Sequence, residues 1–185
     1  MTNKSTWIIV GVLVIVMVGF FIAYNNLVSL NEDVTGKWSQ VENQLQRRSD
    51  LIPNLVNTVK GYAAHELQAV NSVTEARAQL AGAKGPEAMS LANENLSSAI
   101  SRLLVVVENY PNLKADANFR ALMDELAGSE NRIAVARRDY NNSVQIYNTK
   151  IQTLPTKFYA GFFGFNAREY FKIEEEAKAV PNVSF

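Results

Sequence analysis

The sequence predicts an all-α protein. An N-terminal transmembrane helix is followed by an antiparallel bundle of three long helices, the first kinked near Pro53, and by a short aromatic-rich C-terminal segment. Three observations predict this. Residues 7–24 carry no charge, apolar residues then recur in steps of three and four through most of the chain, and the few glycines and prolines fall mostly where that pattern breaks. The corresponding division is a tail at 1–6, a membrane helix at 7–24, a helical bundle at 25–155 and an aromatic segment at 156–185 packing on the bundle.

The first element is WIIVGVLVIVMVGFFIAY, residues 7–24. At about 1.5 Å per residue it covers roughly 27 Å, close to the ~30 Å hydrocarbon core of a bilayer. Trp7 and Tyr24 stand at its two ends, where amphipathic rings prefer the headgroup layer. A cleaved signal peptide is the competing reading, but the apolar run is long for one and no small-x-small cleavage site follows it. Lys4 precedes the span, Glu32 and Asp33 follow it, and the first later base is Lys37. Positive flanks stay in the cytoplasm, so this count places the N-terminus inside and the body outside.

The first body pattern runs Val34, Trp38, Val41, Leu45, Arg48, Ile52, Leu55, Val59, Tyr62, Leu67, Val70, Val73. Its phase passes unbroken through Pro53, so one kinked helix, or two nearly coaxial ones meeting there, is expected. A proline inside a helix costs about 3 kcal/mol, which packing on both sides must offset. Gly82 and Gly85 suit a helix end, Pro86 a first turn, and Glu87 the positive pole of the next helix. That helix carries Met89, Ala92, Leu96, Ile100, Leu103 and Val107 and ends near Tyr110-Pro111. The third starts near Ala115, carries Phe119, Leu122, Leu126, Ile133, Ala136, Tyr140, Val144, Tyr147 and Ile151, and stops before Pro155. Short connections make the three antiparallel neighbours.

Beyond them, KFYAGFFGFNAREYF concentrates Phe158, Tyr159, Phe162, Phe163, Phe165, Tyr170 and Phe171. These rings either plug the open end of the bundle or form an exposed patch that binds a partner or dips into the membrane surface. The acids at 174–176 read as a solvated turn rather than a cation site.

The composition excludes several functions. With 18 basic and 18 acidic residues the chain lacks the positive surplus that nucleic acid requires, and with no cysteine it has neither disulfides nor thiolate metal sites. His65-Glu66 begins like a zinc-hydrolase helix, but His65 is the only histidine, so the second ligand does not exist. The sequence contains neither a G-x-S-x-G elbow nor a phosphate-binding glycine loop. No catalytic residue, cofactor or metal is therefore expected, and the chain reads as a non-enzyme. Arg48 occupies a stripe position between Leu45 and Ile52, so its guanidinium must snorkel outward or meet an acid of a facing helix. Glu130, Arg137, Arg138 and Asp139 supply candidate counterparts of both signs. His65 reads as a helix-surface residue, with a pH switch as the alternative.

Four blocks in order carry a resemblance: Trp38 with QLQRRSDLIPNLVNTVKGYAAHE (44–66), ENYPNLKA (108–115) with Phe119, and ENRIAVARRDYNNSVQIYN (130–148). Together they resemble the LemA family of bacterial membrane proteins, across nearly the whole chain. The resemblance implies a transmembrane helix, a helical-bundle body and no established molecular activity, and it offers no catalytic residue to carry over. The residues Trp38, Arg47, Arg48, Asp50, Pro53, His65 and Glu66 of the first block are read as structural. So are Glu108, Tyr110 and Pro111 of the second, and Glu130, Arg137, Tyr140 and Asn141 of the third. Family members are often assigned an outside N-terminus, against the charge count, whereas lipid-anchored relatives place the body outside, in agreement with it.

Two function classes follow. The first is a single-pass scaffold or interaction protein of the bacterial cytoplasmic membrane, with its body outside the cytoplasm. Its partners would be lipid, other membrane or envelope proteins and further copies of itself as a homo-oligomer, without nucleic acid. The alternative is a sensor ectodomain that binds a small ligand between helices and signals through a partner membrane protein.

Overall fold

The computed structural model describes residues 2–63 and 65–172, and every regular element among them is helical, as the apolar periodicity predicted. Helix α1 is Thr2–Tyr62, α2 is Leu67–Gly82, α3 is Pro86–Val107, α4 is the short Pro111–Ala115 and α5 is Ala117–Gln152; a 3-10 turn follows at Thr156–Phe158. The acids at 174–176 and the closing stretch 180–185 lie outside the described residues.

The chain divides into two units. The first takes residues up to Lys37 together with Asn142–Arg168. It holds the one described helix long and apolar enough to cross a membrane, and none of that helix's most apolar window is buried. Leu27, Val34, Val144, Tyr147 and Ile151 form this unit's core.

The second unit is Trp38–Asn141 with the described residues from Glu169 on. Side-chain bonds set its directions. Arg47 meets Glu125 while Tyr62 meets Asp116, so α1 and α5 run antiparallel. Arg77 of α2 reaches Ser49 of α1, and Asn95 of α3 reaches Gln79 of α2, so α2 runs against both. The result is an up-down-up-down arrangement of α1, α2, α3 and α5, whose facing stripes supply the core. Val41, Leu45, Ile52, Leu55, Val59, Val70, Val73, Leu96, Leu103 and Ile133 are all buried there.

The stretch read as one kinked helix is divided, but not at Pro53. Pro53 lies inside α1, and the chain turns back between Tyr62 and Leu67. Proline deprives the Ser49 carbonyl of the N–H that would meet it one turn later. That carbonyl accepts instead from Arg77 Nε at 3.0 Å. The vacancy left by Pro53 is thus filled from α2, and the helix continues. Four residues separate Tyr62 from Leu67, as many as one helical turn holds, so the apolar spacing of the sequence continues into α2 without a visible break. Leu67, placed on the stripe by spacing, is exposed, whereas Val70, Val73, Ala76 and Leu80 fold back into the core. Gly85 then adopts φ +82°, a backbone conformation open to glycine, and Pro86 begins α3 with Glu87 in its first turn.

Candidate functional site

Arg48 sits in the seam of the second unit, only 5 % exposed. Its Nη1 donates to Asn93 Oδ1 at 2.7 Å and meets Glu130 Oε2 at 2.5 Å, while Nη2 donates to Ser97 Oγ at 3.0 Å. Burial lowers the guanidinium from its ordinary value and the Glu130 charge opposes the shift. Among the counterparts expected for Arg48, the fold selects Glu130. It also adds Asn93 and Ser97, polar residues that α3 places beside its apolar stripe. Next to this seam, Glu125 Oε1 accepts from Arg47 at 2.7 Å and from Arg132 at 2.8 Å. The Arg47 hydrogen bond is the main reason its carboxyl is held below the usual range.

At the far end of the same unit, two tyrosine–carboxylate bonds fix the turns. The Tyr110 hydroxyl donates to Glu66 Oε1, and the Tyr62 hydroxyl to Asp116 Oδ2, each at 2.9 Å. Asp116 also accepts the Phe119 N–H through Oδ1 at 2.9 Å, closing one of the open donors at the start of α5. That backbone bond, followed by the Tyr62 hydroxyl, holds the Asp116 carboxyl below its ordinary value. Each tyrosine hydroxyl is in turn pushed up by its carboxylate partner.

Residues 169–172, without regular structure, form a strap bound to α5 and α3. Tyr140 Oη donates to the Glu169 carbonyl at 2.7 Å, and the Asn141 amide both donates to the Phe171 carbonyl and accepts its N–H, each at 2.9 Å. Ser90 donates to the Lys172 carbonyl, and Lys172 Nζ pairs with Glu87 at 2.6 Å. Phe171 is buried beside Trp38, whose ring also lies 5.1 Å from Tyr140.

Between α1 and α5 lies an open groove of about 420 Å³ lined by Gln40, Gln44, Asn131, Arg132, Val135, Ala136 and Asp139. Two buried atoms of its lining, the acceptor Gln44 Oε1 and the donor Arg132 Nε, have no hydrogen-bond partner among the described residues. A third buried atom of this kind, Arg48 Nε, lies in the ionic seam and not in the groove.

In the first unit, the aromatic segment meets the end of the apolar run of α1. Phe20 packs on Tyr159 and Phe163, at 5.1 and 5.6 Å between ring centroids, and Tyr24 on Phe163 and Phe165, at 5.4 and 5.7 Å. The Asn148 amide grips the backbone of Arg168 through both its atoms, at 2.9 and 2.8 Å, and the Arg168 guanidinium reaches Asn31 Oδ1. The plug expected of the aromatic rings forms only in part. Phe171 is buried and Tyr159 and Phe165 are partly covered, but Phe158 and Phe162 are 81 % and 86 % exposed.

A family model described as the LemA family matches residues 37–185. The chain belongs to the LemA family. Among curated relatives, the magnetosome proteins MamQ 1 and MamQ 2 of Paramagnetospirillum magneticum are each 30 % identical over 187 residues, covering 87 % of this chain and 68 % of theirs. The magnetosome protein MamQ of Magnetospirillum gryphiswaldense is 29 % identical over 174 residues, covering 80 % of this chain and 64 % of its own.

The LemA blocks named from sequence fall mostly in the second unit, with residues 142–148 of the third block in the first. Trp38, Tyr140 and Asn141 hold the strap; Arg47, Arg48 and Glu130 form the ionic seam; Glu66 and Tyr110 bond at the turn. Others are local. Asp50 accepts from Gln46 one turn earlier, Glu108 pairs with Lys114, and Pro111 opens α4. His65 lies exposed in the α1–α2 turn and Arg137 is partly exposed on α5. Of the two rings read as membrane-interface anchors, Trp7 is exposed and Tyr24 is partly covered by the aromatic segment. Sequence reading missed Ser49 with Arg77, Asn93, Asp116 and Asn148. Ser49 stands four residues before Pro53, and Asp116 stands just before an amphipathic run; both are recognisable signals.

Proposed function

We propose that this LemA protein is a membrane-anchored, non-enzymatic interaction protein of the bacterial envelope. In this reading residues 7–24 span the cytoplasmic membrane once, and the body lies outside the cytoplasm and offers its α1–α5 groove to a protein partner. The observation that carries it is the pair of unpaired atoms, Gln44 Oε1 and Arg132 Nε, on a half-apolar groove. Both residues line the groove, and a partner's main chain offers the complement of an acceptor and of a donor. The non-enzymatic part rests on how the ionisable groups are used. Arg48, Glu130, Glu66, Tyr110, Tyr62 and Asp116 bond to one another across helices, which leaves them to fix register rather than to move protons.

A photo-crosslinking residue at Val135, which is half exposed in the groove, tests this in native membranes. A discrete protein adduct, lost when Gln44→Leu and Arg132→Met are introduced together, is expected. A protein that stays monomeric and adduct-free from Val135 would remove the scaffold role. Protease treatment of spheroplasts, read with an antibody to the C-terminus, tests the sidedness: a protected body would reverse it.

A further inference from the structure

We infer that residues 154–163 form a second membrane contact, a ring-bearing turn that enters the boundary between headgroups and acyl chains beside α1. The inference rests on the anchor reading for residues 7–24 and adds to it a site for lipid on a separate part of the chain. Its depth follows from ring contacts. Tyr159 and Phe163 pack on Phe20, and Phe163 also packs on Tyr24. Phe20 and Tyr24 are one helical turn apart, about 6 Å of rise, at the end of the apolar run that Asn25-Asn26 closes. A segment held against that turn lies where the hydrocarbon ends.

The faces of this segment that α1 does not cover are apolar. Leu154 is 68 % exposed, and Phe158 and Phe162, four residues apart, are exposed more fully still. Phe162 stacks edge-on against Phe163 at 5.1 Å, so its position is tied to the ring that touches α1. In water such a face would be costly, since each large ring carries 150–250 Å² of surface, about the scale of a whole core side chain. Within residues 149–168 the charged side chains are of one sign, Lys150, Lys157 and Arg168, and the first acid after them is Glu169. Exposed aromatic rings with basic neighbours are the composition of an interfacial segment, whose bases meet anionic headgroups while its rings sit below them.

The cysteine-free sequence allows a direct test. Full-length Phe158→Cys and Phe162→Cys proteins, nitroxide-labelled, are reconstituted into vesicles containing phosphatidylglycerol and checked for unchanged helicity. Collision with oxygen, which concentrates in lipid, is compared with collision with a water-soluble nickel chelate. Ile15→Cys serves as the lipid reference and Val105→Cys, 71 % exposed on α3, as the aqueous one. The expected result is an oxygen-to-nickel ratio at both phenylalanine positions several-fold above that at Val105. Ratios equal to that at Val105, with Ile15 in lipid, would overturn the second contact and leave the anchor standing. Labels shielded from both reagents would mean that protein, not lipid, covers the rings, and would overturn it equally. An Ile15 label in water would remove the anchor and this inference together.

Discussion

The Nε of Arg77 donates to the main-chain carbonyl of Ser49 at 3.0 Å, on the carbonyl that Pro53 leaves without its helical donor. A helix defect is here converted into a bond between helices. Arg77→Met is expected to destabilise the protein by about 1–2 kcal/mol, the usual cost of an unmet buried acceptor. In a Pro53→Ala background the restored N–H takes the carbonyl, so the same substitution should cost less than half as much. Denaturant melts of the four proteins in one cycle check this, and additivity would show that the two residues act independently.

The Arg48–Glu130 pair makes a second prediction of coupling. Arg48→Met leaves Asn93 and Glu130 without their shared donor, and should lower the melting temperature more than Arg138→Met on the exposed face of α5 does. Because Glu130 is half exposed, solvent weakens the pair, and a coupling of about 1–2 kcal/mol is expected rather than the larger values of fully buried pairs. Thermal melts followed by circular dichroism measure both effects.

Acid should loosen the cap of α5. The Asp116 carboxyl is held low chiefly by the Phe119 N–H and then by the Tyr62 hydroxyl, so the folded protein prefers its ionised form. The stabilisation is present above the unfolded value, about 3.9, and is lost as pH falls through the lower folded value. Asp116→Asn should therefore flatten the dependence of melting temperature on pH below about 4, while Asp116→Ala lowers it by roughly 2–4 °C at neutral pH. Glu125 and Glu87, also held low, chiefly by Arg47 and Lys172 respectively, supply the acid dependence that remains.

Asn141 holds Phe171 by its main chain alone. Asn141→Ala removes two hydrogen bonds, each worth about 1 kcal/mol, and should speed amide exchange at Phe171 by about ten-fold or more. Asn141→Asp keeps the acceptor and loses the donor, so its exchange rate should lie between the two. Mass-spectrometric exchange on the peptide covering 169–172 reads the difference.

The sequence stripe was legible because burial follows helical period: nearly every residue it selected from Val41 to Val59 is buried, Arg48 included. The fold class and the Gly85-Pro86 start of α3 were legible for equally local reasons. The reversal after Tyr62 was not. Its residues favour helix, Gly61 is its one local breaker, and the turn replaces one helical turn without disturbing the period. The polar partners were harder again. Nothing local tells that Asn93 will face Arg48, because that depends on how two distant helices pack. Exposure of Phe158 and Phe162 likewise depends on which faces of the segment meet α1, which composition does not encode.

The strap 169–172 has a consequence for how the chain tolerates change. Tyr140, Asn141 and Ser90 all address carbonyls and an N–H, and Tyr170 points outward between the buried Phe171 and the gripped Glu169 carbonyl. Such a latch gauges chain length and is indifferent to lettering. Replacing Tyr170 with serine should pass almost unnoticed, whereas deleting it would slip the strap by one residue, so that the bonds to Glu169 and Phe171 could no longer form together with the seat of Phe171 against Trp38.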